Sequence, residues 1–347
     1  MKSLEDISWK VTEEKYRADE ALSYSTLARF DREGFNNLDK LFDKIETPSL
    51  TFGSAVDSII TGGMDEFNER FIVLTFPPIS DALKQIATLL FSRYNLVHRS
   101  LDTMSDEDLA QVGAECNFYA NDKYRNYRVK LIREGCNEYY KLMFASQGKT
   151  ILDNETYQEV CNAVRALRES ESTRDYFADN NPFDGIERCY QLKFKATLDN
   201  VNYRCMADCL YTNFNDKTIT PIDLKTSSHT EWDFYKSFVE WRYFHQARLY
   251  YRIIRANMDK DPYFKDFTLN NYKFIVVNKK TLIPLVWEYA DTKTKGTLFY
   301  GKNNQIEVRD PEDIGKQLNY YLSSRPIVPN GIKINESNSL NEWLKTL

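Results

Sequence analysis

The chain has 347 residues, more than the roughly 250–300 that one hydrophobic core usually holds. We therefore expect a core with a sizeable insertion, or two domains. Apolar residues make up 42% and charged residues 28%, with 12 Gly and 10 Pro, which excludes collagen-like and low-complexity classes. The net charge of −5 argues against a surface covered in positive charge, but it allows a local basic channel.

Membrane and metal-cluster classes find no support in the composition. No apolar run approaches the ~18–20 residues that span a bilayer, and the first ten residues lack the apolar stretch of a signal peptide. We expect a soluble intracellular protein. The six cysteines form no C-x-x-C pair, so zinc ribbons and most iron–sulfur sites are not supported. The three histidines lack metal-like spacing, which leaves carboxylates and lysine as the candidates for chemistry.

Apolar residues recur at helical spacing in the first half of the chain. A helix is predicted over 22–45, where Leu22-Ser23-Tyr24-Ser25 offers a serine N-cap, and another over 51–60. Residues 81–180 are predicted to be mostly helical. We therefore expect an N-terminal arm, a single domain and a helical insertion within it, with the ranges 1–20, 21–347 and about 80–180.

From about residue 186 the apolar residues alternate, which is typical of strands. A long helix is predicted from about Trp232 to Ala256, and Pro311 opens a last helix that runs to about Leu322. This order predicts an α/β core with a mixed central sheet flanked by helices. The predicted strands are 188–198, 203–211, 219–225, 272–278 and 284–289.

Two aspartates on the second and third of these strands give the sharpest chemical signal. A tight turn centred on Asn215-Asp216 would pair residues whose numbers sum to 431. Asp208 and Asp223 meet this condition, so their Cβ atoms are expected to lie ~4.5–5.5 Å apart. Like charges in direct opposition are destabilising. A divalent cation such as Mg²⁺, which binds carboxylate oxygens, would remove the conflict.

Lys225 lies two residues beyond the second aspartate on the same strand face, so it can point at a metal-bound water or at the attacked phosphate. Ile222 and Leu224 are expected to face the core together with Ala207 and Cys209. The backbone carbonyl of Leu224 remains available as a ligand.

A polar stripe is predicted on the long helix that follows. Arg242, Gln246 and Tyr250 are spaced by four residues, which places them on one helix face. The alternative interpretation is an ordinary solvated face.

Together, Asp208, Ile222-Asp223-Leu224-Lys225-Thr226, and Gln246 with Tyr250 resemble the PD-(D/E)XK nuclease superfamily in its RecB-like and RecE-like branch. Two stretches resemble N-terminal motifs of that branch: Leu22-Ser23-x-Ser25 and Phe52-Gly53-Ser54-Ala55-Val56-Asp57. The stretch from Gly148-Lys149 to Glu187 resembles RecE-type exonucleases of phages and prophages. The similarity covers roughly residues 20–325 and implies a restriction-endonuclease-like core.

This resemblance implies Mg²⁺-dependent hydrolysis of DNA phosphodiester bonds, with Mn²⁺ able to replace Mg²⁺. By the family pattern, Asp208 and Asp223 bind the metal and Lys225 positions or activates the water. Gln246 and Tyr250 support the site and the DNA backbone.

Two further carboxylates enter through the same resemblance. The family usually has His at the position of Asp57, where a carboxylate can still bind or orient a second ion; the alternative is an exposed helix residue. Glu187 matches an acidic residue that precedes the central strands and would bind metal. The alternative for Glu187 is an ordinary glutamate at a strand start.

Residues 121–133 mix five basic residues with Tyr124 and Tyr127, a combination that can bind phosphates and stack on bases. Arg128 in this segment, Arg242 and Lys193 are the predicted DNA contacts. The alternative is a solvated helix face with ordinary snorkelling side chains.

These features together predict a metal-dependent exonuclease acting on duplex DNA ends in phage or prophage recombination or DNA repair. The branch implies 5′-to-3′ degradation, a ring-shaped homo-oligomer, a single-strand annealing protein as partner, and a cytoplasmic location, in the host cell if a phage encodes the chain. A structure-specific or restriction-type endonuclease on the same core is one alternative. A catalytically degenerate DNA-binding protein is another, although the intact Asp208, Asp223 and Lys225 argue against it.

Overall fold

A computed structural model gives the fold. It describes residues 2–35, 38, 41–42, 47–290, 296–300 and 304–324. The chain divides into two compact units, of which the first comprises Met1–Ile45 and Arg165–Leu347 and the second comprises Glu46–Val164. None of the described helices combines the length and apolar character that a membrane crossing requires.

Ten helices and ten strands are numbered here in chain order within the described residues. The helices are α1 Glu13–Ala18, α2 Tyr24–Glu33, α3 Pro48–Arg70, α4 Asp81–Tyr94, α5 Asp106–Glu115, α6 Arg125–Ala145, α7 Asn154–Glu169, α8 Phe234–Glu240, α9 Tyr243–Met258 and α10 Pro311–Ser324. The strands are β1 Phe71–Val73, β2 Thr150–Leu152, β3 Ile186–Leu198, β4 Val201–Asn213, β5 Thr218–Ser227, β6 Thr268–Leu269, β7 Tyr272–Asn278, β8 Pro284–Tyr289, β9 Gly296–Tyr300 and β10 Asn304–Val308.

The first unit is built on a six-stranded mixed sheet in the order β3-β4-β5-β7-β8, with β6 paired to β5. The pairs β3–β4, β4–β5 and β7–β8 are antiparallel, whereas β5–β7 is parallel. The predicted mixed sheet flanked by helices and all five predicted strands are confirmed. The alternation that predicted β4 is also present, since Val201, Tyr203, Cys205 and Ala207 are buried.

Helix α9 packs on β3 and β4, and α2 packs on α9. The buried residues of α9 include Phe244, Ala247, Leu249 and Ile253, which lie in the main hydrophobic core of the unit. The N-terminal arm joins this core through the fully buried Leu4. This packing holds one face of α9 against the β3–β4 side of the sheet.

The predicted helix from Trp232 to Ala256 is interrupted. Residue Arg242, between α8 and α9, has left-handed backbone angles (φ 58°, ψ 40°) that end one helix and start the next. The prediction that Arg242 shares a helical stripe with Gln246 and Tyr250 is therefore wrong. Periodicity did not indicate the break, because apolar residues continue at helical spacing on both sides of it.

Helix α2 begins at the predicted serine N-cap, since Ser23 Oγ accepts a hydrogen bond from the Thr26 N–H. It ends at Glu33, well before residue 45, because Gly34 takes a positive φ of 62° that stops the helix. The helix predicted over 51–60 lies inside the longer α3, whose helical backbone breaks at Gly63.

The second unit is mainly helical and has its own hydrophobic core. Residues from α4, α5 and α6 fill that core, among them Leu90, Leu109 and Ile132, all fully buried. The short strands β1 and β2 pair in parallel. They were not predicted, because three residues are too few to display a period. The unit covers 46–164, whereas the insertion was expected at about 80–180.

Candidate active site

The β4–β5 hairpin has the predicted register. Paired residues from Cys209–Ile222 to Asn213–Thr218 have numbers that sum to 431. The Asn213 side chain orders the turn by accepting hydrogen bonds from the N–H groups of Asn215 and Asp216. Backbone pairing stops at Cys209–Ile222, so Asp208 and Asp223 form the next position in register.

A side chain continues the hairpin where backbone pairing stops. The Leu224 N–H donates a hydrogen bond of 2.9 Å to Oδ2 of Asp208. The N–H and C=O of one strand residue point to the same side of the strand. The Leu224 carbonyl is therefore expected on the Asp208 side of β5, as a metal ligand at this position requires.

Asp223 is almost fully buried, with 1% of the residue exposed. Its Oδ1 accepts a hydrogen bond from Gln246 Nε2, and its Oδ2 forms an ion pair with Lys225 Nζ. Partners within the chain thus balance much of the buried negative charge. The opposition of the two aspartates, which the sequence analysis left to a divalent cation, is therefore already partly relieved by Lys225 and Gln246.

Lys225 is held as a cation. Its side chain is 20% exposed, and Nζ lies 4.9 Å from the centroid of the Tyr243 ring. Burial alone would lower the pKa of Lys225, but the charges of Asp223, Tyr243 and Asp208 and the hydrogen bond to Asp223 together outweigh burial and raise it. A protonated lysine donates hydrogen bonds, which suits the predicted role of positioning the water. The other predicted role, activation of the water, stays a prediction.

Helix α9 brings Gln246 and Tyr250 to the same place, and both are buried. The Tyr250 ring lies 6.5 Å from the ring of Tyr24 and 6.2 Å from that of Tyr272. Burial raises the pKa of Tyr250 well above its ordinary value, so the phenol stays protonated. The Gln246 Oε1 atom is buried and has no hydrogen-bond partner within the described ranges, which leaves an acceptor next to Asp223.

The strand alternation breaks at the candidate site. Ala207 and Leu210 both belong to the main core, whereas Cys209 lies outside it, with its thiol 3.9 Å from the Tyr176 carbonyl. The prediction that Ala207 and Cys209 share a face is therefore wrong. On β3, Gln191 has a positive φ of 52° and falls opposite Asp208 in register. Strained backbone of this kind is frequent at functional sites.

Arg242 belongs to an internal ion network and not to an open DNA-binding face. Its Nε donates to Asp31 Oδ2 at 3.1 Å, and its side chain is 19% exposed. His245 Nε2 lies 3.2 Å from the same oxygen, and Arg309 is 3.5 Å from Oδ1. Sequence reasoning missed Asp31, since more than two hundred residues separate it from its partners.

Glu187 does not join the two aspartates. It pairs with Thr212 in the β3–β4 ladder, four residues along β4 from Asp208. At ~3.4 Å per residue this separation is roughly 14 Å, too far to bind the same ion. Glu187 instead lies beside Cys189, where burial and then the charge of Glu187 raise the pKa of the thiol to about 12. The predicted metal role of Glu187 at this site is wrong.

The remaining predicted DNA contacts have different fates. Arg128, in the second unit, is 2% exposed and donates through Nη1 to the Tyr119 carbonyl at 2.6 Å, so it cannot reach a phosphate in this fold. Lys193 is half-buried on β3 and has no ion pair among the residues described. Asp57 lies on α3 of the second unit and is half-buried.

The atoms of the site that could coordinate a metal ion are mainly oxygens. Asp208 and Asp223 supply carboxylates and Leu224 a carbonyl, a set that suits a hard cation such as Mg²⁺ better than zinc. No group of three or more His, Cys, Asp or Glu able to hold an ion occurs in the described part of the chain.

Comparison with known proteins finds distant likeness to solved structures. No protein-family model matches the chain, and no curated protein sequence matches it. Among solved structures, the chain is similar to a protein from Eubacterium rectale described as a "putative exonuclease". The two are 13% identical, with a TM-score of 0.42, and the alignment covers 94% of this chain and 98% of that one.

Proposed function

We propose that this chain is a Mg²⁺-dependent nuclease of the PD-(D/E)XK type that hydrolyses phosphodiester bonds at the ends of duplex DNA. The observation that carries the proposal is the grouping of Asp208, Asp223 and Lys225 where the β4–β5 ladder stops. Gln246 from α9 bonds to Asp223 and supports the group from the other side.

The donor set fits a magnesium ion. Asp208, Asp223 and the Leu224 carbonyl would hold it, and waters and substrate would complete its coordination. Bound there, the ion would polarise the phosphate and lower the pKa of a bound water. The buried Gln246 Oε1, which has no partner in the described ranges, is a suitable acceptor for a water hydrogen at this site.

Lys225 would act as a fixed donor. Its raised pKa keeps it protonated at neutral pH, so it can hydrogen-bond the attacking water or a non-bridging phosphate oxygen. The Tyr243 ring beneath Nζ restricts where the ammonium can lie. Asp223 anchors the same ammonium from the strand.

Exonuclease action is the preferred mode because the motifs around these residues resemble RecE-type enzymes. That resemblance also supports 5′-to-3′ polarity, assembly as a ring and cooperation with a single-strand annealing protein, in phage recombination or repair. A ring would place basic groups in its channel while the outside stays acidic, which agrees with the net charge of −5.

A linear duplex and a covalently closed circle of the same sequence test this proposal. We expect Mg²⁺ or Mn²⁺ to support loss of the linear DNA only, and EDTA to stop it. Cleavage of the closed circle would identify an endonuclease on the same core. No cleavage of either DNA with either metal would overturn the proposal.

A DNA-binding protein without activity is the second candidate, and one observation favours it. The direct ion pair of Lys225 with Asp223 already neutralises the buried carboxylate, as a purely structural pair would. Mobility shifts with DNA in the absence of any cleavage would support this candidate.

A further inference from the structure

We infer that Arg32 and Trp241 form a contact surface for a single-stranded stretch of nucleic acid beside the candidate active site, with a phosphate on Arg32 and a base against Trp241. This inference rests on the proposed function, because it names where the substrate strand would lie.

Arg32 has a charge that its own helix does not neutralise. Of the acidic residues beside it on α2, Asp31 is bound by Arg242 and His245, and Glu33 pairs with Arg29. The Arg32 side chain has no ion pair or hydrogen bond within the described ranges. Within the described ranges, therefore, no acidic side chain occupies the Arg32 donors.

Trp241 gives Arg32 an aromatic neighbour that solvent can reach. The Arg32 guanidinium carbon lies 4.9 Å from the centroid of the Trp241 ring, and 43% of Trp241 is exposed. Stacking uses the face of a guanidinium, while its N–H donors lie in the plane and point outward. The pair can therefore stack on a base and bind a phosphate at the same time, as single-strand binding surfaces do.

A short chain of contacts connects this pair with the candidate catalytic lysine. The Tyr24 hydroxyl donates to the Trp241 carbonyl at 2.6 Å, and the Tyr24 ring lies 6.4 Å from that of Tyr243. Tyr243 in turn lies beneath Lys225 Nζ. Burial raises the pKa of Tyr243, and the charges of Lys225 and Arg32 both oppose that rise, in keeping with the proximity of both cations.

A nucleic-acid strand is the occupant that suits this combination. A cation complements the phosphates of a strand and an aromatic ring complements its bases. Contacts through Tyr24 and Tyr243 connect both residues with Lys225 of the candidate site. Stacking needs an unpaired base, because paired bases are stacked on each other. The surface should therefore prefer single strands or frayed ends to an intact duplex.

Binding of a fluorescent single-stranded oligonucleotide in EDTA, over a series of salt concentrations, tests the inference. Trp241→Leu keeps apolar bulk without a stacking ring, and we expect binding about 5- to 100-fold weaker. Arg32→Gln should weaken binding and reduce the slope of log K against log salt by about 0.7. Arg32→Lys should keep the slope and bind less tightly than the wild type, because lysine lacks the planar stacking group.

Arg17→Ala is the matched control, since it removes an exposed arginine that pairs with Glu13 on α1. It should change neither affinity nor slope. Arg32 makes no side-chain hydrogen bond within the described ranges, so Arg32→Gln is expected to fold. If Trp241→Leu has a lowered melting temperature, the salt dependence of binding by Arg32→Gln still decides the outcome.

Cleavage of linear DNA by the same proteins separates the two proposals. A wild type that binds and cleaves, with Arg32→Gln and Trp241→Leu unchanged in both, overturns this surface and leaves the proposed function standing. A wild type that neither binds nor cleaves overturns both.

Discussion

The Leu224 N–H donates a hydrogen bond of 2.9 Å to the Asp208 carboxylate, directly after the last backbone pair of the β4–β5 ladder. A side chain thus satisfies a backbone donor that the neighbouring strand no longer reaches. The Asp208 side chain therefore has two roles. It holds the end of β5 in place, and it places a carboxylate at the register position opposite Asp223.

Asp208 can be tested with two substitutions that separate these roles. Asp208→Asn keeps an acceptor for the Leu224 N–H, whereas Asp208→Ala leaves a donor unsatisfied at a cost of ~1–3 kcal/mol. We expect Asp208→Asn to melt near the wild-type temperature without metal and Asp208→Ala to melt lower. Both should lose cleavage and the rise in melting temperature that Mg²⁺ gives the wild type. An Asp208→Asn protein that melts far below the wild type, yet keeps the full Mg²⁺ shift, would place the metal elsewhere.

Lys225→Met should abolish hydrolysis and leave DNA binding largely intact. It also removes the partner of a buried carboxylate, a loss that typically costs ~3–5 kcal/mol. Mg²⁺ should then raise the melting temperature more in the variant than in the wild type, because the ion replaces the missing positive charge. Lys316→Met removes an exposed lysine paired with Asp199 and serves as the control for net charge. Cleavage at the wild-type rate would remove Lys225 from the mechanism.

Gln246→Leu should raise the Mg²⁺ concentration needed for cleavage by about 10- to 100-fold, the usual loss when a group that orients a metal ligand is removed. Leucine keeps the bulk of the side chain but cannot donate to Asp223. Tyr250→Phe keeps the ring and removes only the hydroxyl, so it shows whether that hydroxyl contributes. If Gln246→Leu cleaved with the same Mg²⁺ dependence as the wild type, the hydrogen bond from Gln246 would not be needed to orient Asp223 for metal binding.

Stability should fall as the pH falls below about 6.5 because of His245. Burial lowers the pKa of His245 below its ordinary value of 6.5, and the hydrogen bond to Asp31 only partly opposes this. Just below pH 6.5, His245 therefore binds a proton in the unfolded chain but not in the folded chain. The loss can reach about 1.4 kcal/mol per pH unit.

His245→Gln places an amide donor near the position of Nε2 and does not titrate. Denaturant unfolding between pH 7.5 and 5.5 should show a shallower pH dependence for this variant than for the wild type. The pKa of Asp31 is held below its usual range, chiefly by its hydrogen bond to His245 acting against the cost of burial, so its own protonation falls outside this interval. If the free energy of unfolding changed with pH equally in the variant and the wild type, His245 would not be the cause of the pH dependence.

Arg128→Met should destabilise the second unit and leave the salt dependence of DNA binding unchanged. The substitution leaves the Tyr119 carbonyl without its donor, and we expect a loss of ~1–3 kcal/mol in the free energy of unfolding. Arg125→Met, which removes an arginine paired with Glu107 at the surface, should cost less. A reduced salt slope with normal stability would restore Arg128 as a phosphate contact.

The sheet could be predicted because its strands follow a simple period and its turn has clear chemistry. The pairing of numbers that sum to 431 followed from Asn215-Asp216, and the Asp208–Asp223 position followed from that pairing. Strand alternation also placed Lys225 on the same face as Asp223, where the two form an ion pair.

Other features depend on long-range contacts and backbone angles, which the spacing of apolar residues in the sequence does not reveal. The left-handed Arg242 breaks a helix whose apolar spacing continues without interruption, and Asp31 reaches it from a distant helix. The positive φ of Gln191 shifts the alternation of β3 although glutamine gives no local signal for it. Arg128 was misjudged because a basic segment in sequence does not reveal which guanidinium is buried.

The most direct test is the rate of cleavage of a linear duplex as a function of Mg²⁺ concentration, for the wild type and Asp223→Asn. The substitution keeps the shape of the side chain and removes the charge that binds both Lys225 and the ion. The account predicts a wild-type rate that rises with Mg²⁺ and vanishes in EDTA, and no cleavage by Asp223→Asn at any concentration. Cleavage by Asp223→Asn at the wild-type rate, or wild-type cleavage that persists in EDTA, would contradict it.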